Sequence, residues 1–334
     1  MVLQTPLLHL LRHRYGHACR LLTSGSWSSQ LFAHNADVAD IWQLRNRHRP
    51  FLLSPERWRL VRLLAKHDGP VYVSEDSRRQ VTKIRHLLAM SRIANDRCVF
   101  LDQFPAAVDE HWIDQLLRFG QSTPPAFDNA AARQADELWL APRLFLNQGD
   151  RDDRERWLRE RGLAGRPLVL LQPGNKRATK FGRVRADDSK AWPIVHWAGL
   201  LRAMNARMPE ACLLLCGSPA EVPLLRDIRA AAGLAQVGIA SEDLPLRRLM
   251  ALQETADSMV SVDTGPAHMA AAMGCPLVVL YGTESPHRWS RRSAVNAAVI
   301  ELGGPDAQKG MADIPLESVV QAWLYVTSAV SKRR

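Results

Sequence analysis

Two kinds of hydrophobic patterning alternate along the chain. Short apolar runs of strand length are separated by longer stretches in which apolar residues recur at helical spacing. The first series predicts a helix over 5–14, a strand over 18–24 and a helical segment over 27–35. A strand at 40–44, a helix at 56–66 and a strand at 70–74 follow, and 81–120 reads as mostly helical. QSTPPAF at 121–127 is a proline-rich break. A second, fuller series then begins: a charged helix at 151–163, PLVLLQPG as a strand, a basic loop, a helix over 192–208 and ACLLLCG as a strand. It continues with a helix at 219–232, a short strand near Val237, a helix at 246–253, a strand into Val262, a helix over 266–273 and a strand at 276–282. Strands separated by helices imply parallel, doubly wound sheets, so the fold class is α/β. Two such series imply two domains, with the boundary between Gln121 and Gln148: residues 1–135, then 148–312. The closing segment, 313–334, carries a helix near 316–328 that is expected to pack back on the first domain. No internal repeat or low-complexity tract interrupts this pattern.

Composition adds bounds. The chain has 334 residues, 46% of them hydrophobic, enough for two cores. Its longest apolar runs are strand-sized, far short of the roughly 20 residues that span a bilayer. The opening stretch lacks the features of a secretion signal, so a cytoplasmic protein is the expectation. Five scattered cysteines read as reduced thiols. The net charge of +10 points to an anionic partner. No nucleic-acid-binding signature accompanies it, so an anionic lipid at the inner membrane face fits as well as nucleic acid.

The richest stretch chemically is SVDTGPAHMAAAMGCPLVVLYG, 261–282. It reads as strand, tight turn over Asp263, Thr264 and Gly265, helix with Pro266 at its first position, then strand. A helix starting there presents free N–H groups and a positive dipole end, which suit a phosphate or diphosphate. Asp263, Thr264 and His268 add side chains at the same point. The alternative is a structural strand–turn–helix of any doubly wound sheet.

Two other strand-to-helix junctions carry candidate groups. The loop from 174 to 190 holds Lys176, Arg177, Lys180, Arg183, Arg185 and Lys190, which suit a diphosphate or form a solvated charged loop. In GSPAE at 217–221, Ser218 is a candidate cap, and Glu221 suits either ribose hydroxyls or the first turn of the next helix. His9, His13 and His17 have helical spacing, but in a basic helix this marks a polar face, and no metal site is assigned.

Taken together, QPG at 172–174, KAWPIVHWAGLL at 190–201, CGSPAE at 216–221 and the segment 263–282 resemble glycosyltransferase family 9, the ADP-heptose:lipopolysaccharide heptosyltransferases. MADIPLESVVQAW at 311–323 resembles the family's closing segment and TPLLHLLRHRYG at 5–16 its first helix. The resemblance implies a GT-B fold: two Rossmann-like domains with an active-site cleft between them. The first would be the acceptor side and the second would bind the nucleotide-sugar donor. It implies that Gly174, Lys190, Ser218, Glu221, Asp263, Thr264, Gly265 and His268 form the donor site, Lys190 neutralising the diphosphate and Glu221 near the nucleoside. It implies an inverting transfer with no cofactor and no metal, to an anionic glycolipid acceptor such as a lipopolysaccharide core. Nucleic acid is not an expected partner.

The resemblance also implies a strand and a Gly-Asp loop before the segment matched by VLQTPLL, whose aspartate is the usual general base. The sequence opens at Met1, inside that motif, so the expectation is that the base and first strand lie upstream and no catalytic residue is assigned. Other departures are the long basic loop before Lys190 and Gly310, which precedes Met311 where the family often has cysteine. Basic residues such as Arg12, Arg14, Arg45, Arg47 and Arg49 are candidate contacts for an anionic acceptor or plain solvated surface. Two further readings stay open: a non-catalytic protein that binds nucleotide sugars, and another GT-B enzyme such as a sugar-nucleotide epimerase. No GxGxxG follows a predicted strand, which argues against a Rossmann oxidoreductase.

Overall fold

The computed structural model describes residues 1–44, 54–127, 138–175, 179–180, 183–184, 191–305 and 310–331. The chain divides into two compact units, one built on Leu3–Phe145 and the other on Leu146–Arg334.

The first unit contains α1 (Thr5–Tyr15), β1 (Cys19–Thr23), α2 (Ser28–Leu31), β2 (Val38–Gln43), α3 (Pro55–Leu64), β3 (Val71–Val73), α4 (Arg78–Met90), β4 (Cys98–Phe100) and α5 (Trp112–Gln121). Its described strands pair in parallel as β1–β2 and β3–β4. The segment 81–120, expected to be mostly helical, contains β4. Three residues are too few to display a strand period, and this strand is buried throughout. The helical segment expected over 27–35 is the single turn α2. Helix α3 starts on a sequence signal: Ser54 accepts a hydrogen bond from the Arg57 amide, and Pro55 follows it. Helices α3 and α4 cover β3 and β4 through Leu60, Val61, Leu64, Val81, Leu87 and Leu88.

Helix α1 is not the polar element that its charges suggest. His9 is buried, stacks on Trp139 at a centroid distance of 3.7 Å and hydrogen-bonds Asp37 at 3.3 Å. The expected polar face at this residue is thus a packed one. Arg12 pairs with the same buried carboxylate at 3.0 Å. Arg14, a candidate acceptor contact, is buried instead, donating to the carbonyls of Gly120 and Ser122 and to Thr123 Oγ1. The Ser122 carbonyl also accepts from Tyr72 Oη at 2.6 Å, so Arg14 shares in closing the end of α5. Arg45, Arg47 and Arg49 lie outside the described residues.

The second unit contains α6 (Gln148–Glu160), β5 (Leu168–Gln172), β6 (Thr179–Lys180), β7 (Arg183–Val184), α7 (Ile194–Arg207), β8 (Cys212–Cys216), α8 (Val222–Ala232) and β9 (Gly238–Ala240). It continues with α9 (Leu246–Thr255), β10 (Ser258–Val262), α10 (Gly265–Ala272), β11 (Leu277–Tyr281), α11 (Pro286–Trp289), β12 (Val299–Gly303) and α12 (Leu316–Ser331). Six strands form one parallel sheet in the order β9–β8–β5–β10–β11–β12. The chain winds outward from β5 to β9, then crosses back to β10 and winds the other way, so the topological switch point lies between β5 and β10. Strands β5, β8, β10 and β11 are buried at every position, as expected for a sheet covered on both faces. Val169, Leu171, Leu213, Leu215, Val260 and Val278 join one core with α7, α8 and α12. The alternate residues Leu168, Leu170, Leu214 and Met259 point to the opposite face, where α6, α9 and α10 pack.

The last helix differs from expectation. It packs on the second unit's own sheet, with Val319, Trp323 and Val326 fully buried in that core and Trp323 Nε1 donating to Ser258 Oγ at 3.0 Å. Its apolar stripe therefore has its partner in α7, β10 and β11. Gly199 on α7 permits the close approach: a Cβ there would lie 2.4 Å from Leu316 Cδ2. Just upstream of α12, the Ile314 carbonyl accepts from Trp192 Nε1 at 2.9 Å. Two segments of the family resemblance, KAWPIVHWAGLL and MADIPLESVVQAW, thus meet in the core. Strand β12 and the turn α11 were not expected from the sequence pattern.

Candidate functional site

The register of the central strands brings three loops to one end of the sheet. Ser261 stands beside Gln172 and Leu171 beside Leu215, so the chain leaves β10, β5 and β8 side by side at their carboxyl ends. That end, at the switch point, is where open α/β sheets bind ligands. Asp263, Thr264 and Gly265 follow β10; Gly174 follows β5; Ser218 and Glu221 follow β8.

Gly174, Ser218 and Glu221 are in direct contact. Glu221 is buried, and its Oε2 accepts from the Ser218 amide at 2.7 Å and the Ser218 hydroxyl at 2.6 Å. This carboxylate therefore does serve the first turn before α8. Its other oxygen, Oε1, is buried with no hydrogen-bond partner among the described residues. A Cβ at residue 174 would lie 2.0 Å from that Oε1, so any larger residue would have to displace the carboxylate. A buried carboxylate oxygen with no donor is costly and is suited to a ligand hydroxyl or N–H.

On the other side of the switch point, Thr264 is the N-cap of α10, yet its side chain does not cap the helix; its hydroxyl donates to the Val262 carbonyl at 3.2 Å. The helix begins at Gly265, so Pro266 is its second residue rather than its first. Gly265 is exposed, and among the described residues a Cβ on it would meet nothing within 4 Å. Among the described residues, nothing covers the α10 N-terminus, whose positive dipole end is exposed at Gly265. His268 lies one turn further on, its amide donating to the Thr264 carbonyl at 3.4 Å. From behind, fully buried Gln253 on α9 donates to the Pro266 carbonyl at 2.9 Å and fixes the start of α10.

Asp263 extends the β10–β11 ladder through its amide, which donates to the Leu280 carbonyl at 2.9 Å. Its carboxylate Oδ1 accepts from Arg291 Nη2 at 2.7 Å. Arg291 also donates to Tyr281 Oη, and the Arg291 amide donates to Glu301 Oε1 at 2.8 Å. Burial pushes the Glu301 carboxyl and the Tyr281 phenol above their ordinary pKa ranges. Arg291, Tyr281 and Glu301 were not singled out in the sequence; each is far from the Asp263 turn along the chain, and only the β10–β11–β12 pairing unites them.

Lys190, Lys176, Arg177 and Arg185 lie outside the described residues. Lys180 and Arg183 face each other in backbone register across the short antiparallel ladder β6–β7. Among the described residues, no three His, Cys, Asp or Glu side chains group so as to hold a metal ion, and no helix is long and apolar enough to cross a membrane.

Residues 122–312 match the model of glycosyltransferase family 9 (heptosyltransferase). The lipopolysaccharide core heptosyltransferase OpsX of Haemophilus influenzae is 35% identical over 125 residues, 37% of this chain and 32% of that relative's length. The match therefore spans only about a third of that protein. Among solved structures, the E. coli ADP-heptose lipopolysaccharide heptosyltransferase II superposes with a TM-score of 0.72 at 18% identity, covering 99% of this chain and 96% of its own. The E. coli heptosyltransferase WaaC with ADP gives 0.62 at 16% identity, covering 97% of each chain. At these identities the likeness is one of fold: the α/β GT-B architecture of two Rossmann-like domains.

Proposed function

Because the chain belongs to glycosyltransferase family 9, we propose that it transfers a heptose or related sugar from a nucleoside-diphosphate donor to an anionic glycolipid, such as a lipopolysaccharide core. The observation that carries the donor half of this reading is the pair of features flanking the switch point. Among the described residues, one is the buried, unpartnered Glu221 Oε1 against Gly174 and the other is the α10 N-terminus, open at Gly265. They match the two ends of a nucleoside diphosphate: ribose hydroxyls donate to the carboxylate, and diphosphate oxygens accept from the helix N–H groups. The names of the solved relatives, one crystallised with ADP and one acting on ADP-heptose, support adenosine as the nucleoside.

The chemistry follows from where charge develops. As the bond from the anomeric carbon to the diphosphate breaks, negative charge grows on the leaving oxygen. The α10 dipole and, by the family resemblance, Lys190 stabilise that charge without a metal. The acceptor hydroxyl attacks the opposite face and loses its proton to a base, which inverts the anomeric configuration. In this reading the enzyme works in the cytoplasm, at the inner membrane face where a lipid-linked acceptor lies; its five free cysteines suit that compartment.

Gly265→Val tests the donor site. No described residue lies within 4 Å of a Cβ there, so the fold should tolerate it, while the valine fills the space before the helix. Titration calorimetry should show ADP affinity falling by about tenfold or more with an unchanged melting temperature. Unchanged affinity would overturn the assignment of α10 as the diphosphate cradle.

A further inference from the structure

We propose that Arg291 is a positioning residue of the donor site, the countercharge that allows an acidic side chain, Asp263, to stand beside a diphosphate. This rests on the donor-site reading above.

The need for such a group follows from the sequence order. Asp263 immediately precedes Thr264, the N-cap of the helix assigned to the diphosphate. A carboxylate at that place opposes the ligand in two ways. It is a like charge beside a polyanion, and it is itself a natural acceptor for the helix's first N–H groups. Both effects work against the site unless the carboxylate is neutralised and held to one side.

Arg291 does both. Its side chain is fully buried, and Nη2 takes Asp263 Oδ1 at 2.7 Å; the Asp263 side chain is 13% exposed. The guanidinium is itself fixed. Nη1 donates to Tyr281 Oη and to the Trp289 carbonyl, and its centre lies 4.9 Å from the Tyr281 ring centroid. The Arg291 amide and the Tyr281 hydroxyl both donate to Glu301 Oε1. The carboxylate is thus tied through one arginine to β11, β12 and the segment between them.

Stability alone does not explain this arrangement. Arg291 Nε is buried with no hydrogen-bond partner among the described residues, so the guanidinium is incompletely satisfied where an apolar side chain would pack without that cost. The guanidinium reaches Asp263 directly, whereas Glu301 is met by the Arg291 amide and the Tyr281 hydroxyl. A buried, imperfectly paired cation whose best contact is the acidic residue at the ligand's helix is placed to manage that acid's charge.

The test is a double-substitution cycle read by ADP affinity. Arg291→Met should weaken ADP binding by about tenfold or more, because Asp263 then loses its buried arginine partner. Asp263→Asn combined with Arg291→Met should restore affinity to within about threefold of Asp263→Asn alone. An arginine that only packs the loop gives a different result: the loss persists in the double variant, which overturns the proposal. The same cycle with Arg291→Lys, which keeps charge and length, covers a methionine variant that fails to fold. There the lysine should weaken ADP binding at least about threefold with Asp263 present and have no effect in the Asp263→Asn background. Equal effects in both backgrounds overturn the proposal. If the unaltered chain does not bind ADP, the donor-site reading falls and this proposal with it. ADP binding with a strictly additive cycle overturns the proposal alone.

Discussion

Gly174 and Glu221 touch so closely that one dictates the other: a Cβ at residue 174 would lie 2.0 Å from Glu221 Oε1. The first Cβ added there must displace the carboxylate or the β5 end. Gly174→Ala should therefore destabilise the protein by about 1–3 kcal/mol, the cost of overpacking, and weaken ADP binding. Adding Glu221→Ala makes room for the methyl group, so the double variant should regain most of the lost stability but not the affinity. Chemical denaturation and calorimetry on the three variants check this. A Gly174→Ala protein as stable as the parent would show that the contact is slack.

The last helix belongs to the second unit's core, and its removal from that core should be felt there. Trp323 is 1% exposed and hydrogen-bonded to Ser258 on β10. Trp323→Ala should cost about 3–5 kcal/mol. Amide exchange should accelerate in β10 and β11, the strands that α12 covers. Unchanged exchange in those strands would contradict this packing.

His9 predicts a pH dependence in the first unit. Burial lowers its pKa from the ordinary 6.5, outweighing the opposing pull of Asp37, while His13 and Arg143 lower it further. Arg12 pairs with the same Asp37 carboxylate. A histidine with a depressed folded pKa binds fewer protons folded than unfolded. Its contribution is complete above 6.5 and is lost as the pH falls from there toward the folded value. His9→Gln should remove this component, so the stability of the variant should vary less with pH between about 7.5 and 5.5 than that of the parent. Parallel curves would show that His9 does not titrate differently on folding.

The sequence was most readable where local rules act. The αβ alternation of the second unit follows from strand-sized apolar runs between helical patterns, and the Asp263 turn, Gly174 and Glu221 stand at the junctions expected of them. The start of α6 was not read: Asn147 and Asp150 cap each other and begin the helix at Gln148, ahead of the charged run from 151 that marked it in the sequence. Long-range pairing was not readable. The three-residue β4 has no period to detect, and β12 runs through a stretch of mixed polarity. His9 and Arg14 look like solvent-facing residues of a basic helix until Asp37, Trp139 and the Gly120 carbonyl are seen beside them. Arg291 reads as one more surface arginine in SRRSAV, and only the sheet order brings it to Asp263.

The central claim is sugar transfer, and the most direct measurement is acceptor-dependent release of ADP from ADP-heptose, with a heptose-deficient lipopolysaccharide as acceptor. The account predicts ADP release and a matching gain of heptose on the lipid only when both substrates are present. Donor that binds but is never consumed would contradict transfer in favour of a binding protein, and donor converted without acceptor would contradict it in favour of an epimerase.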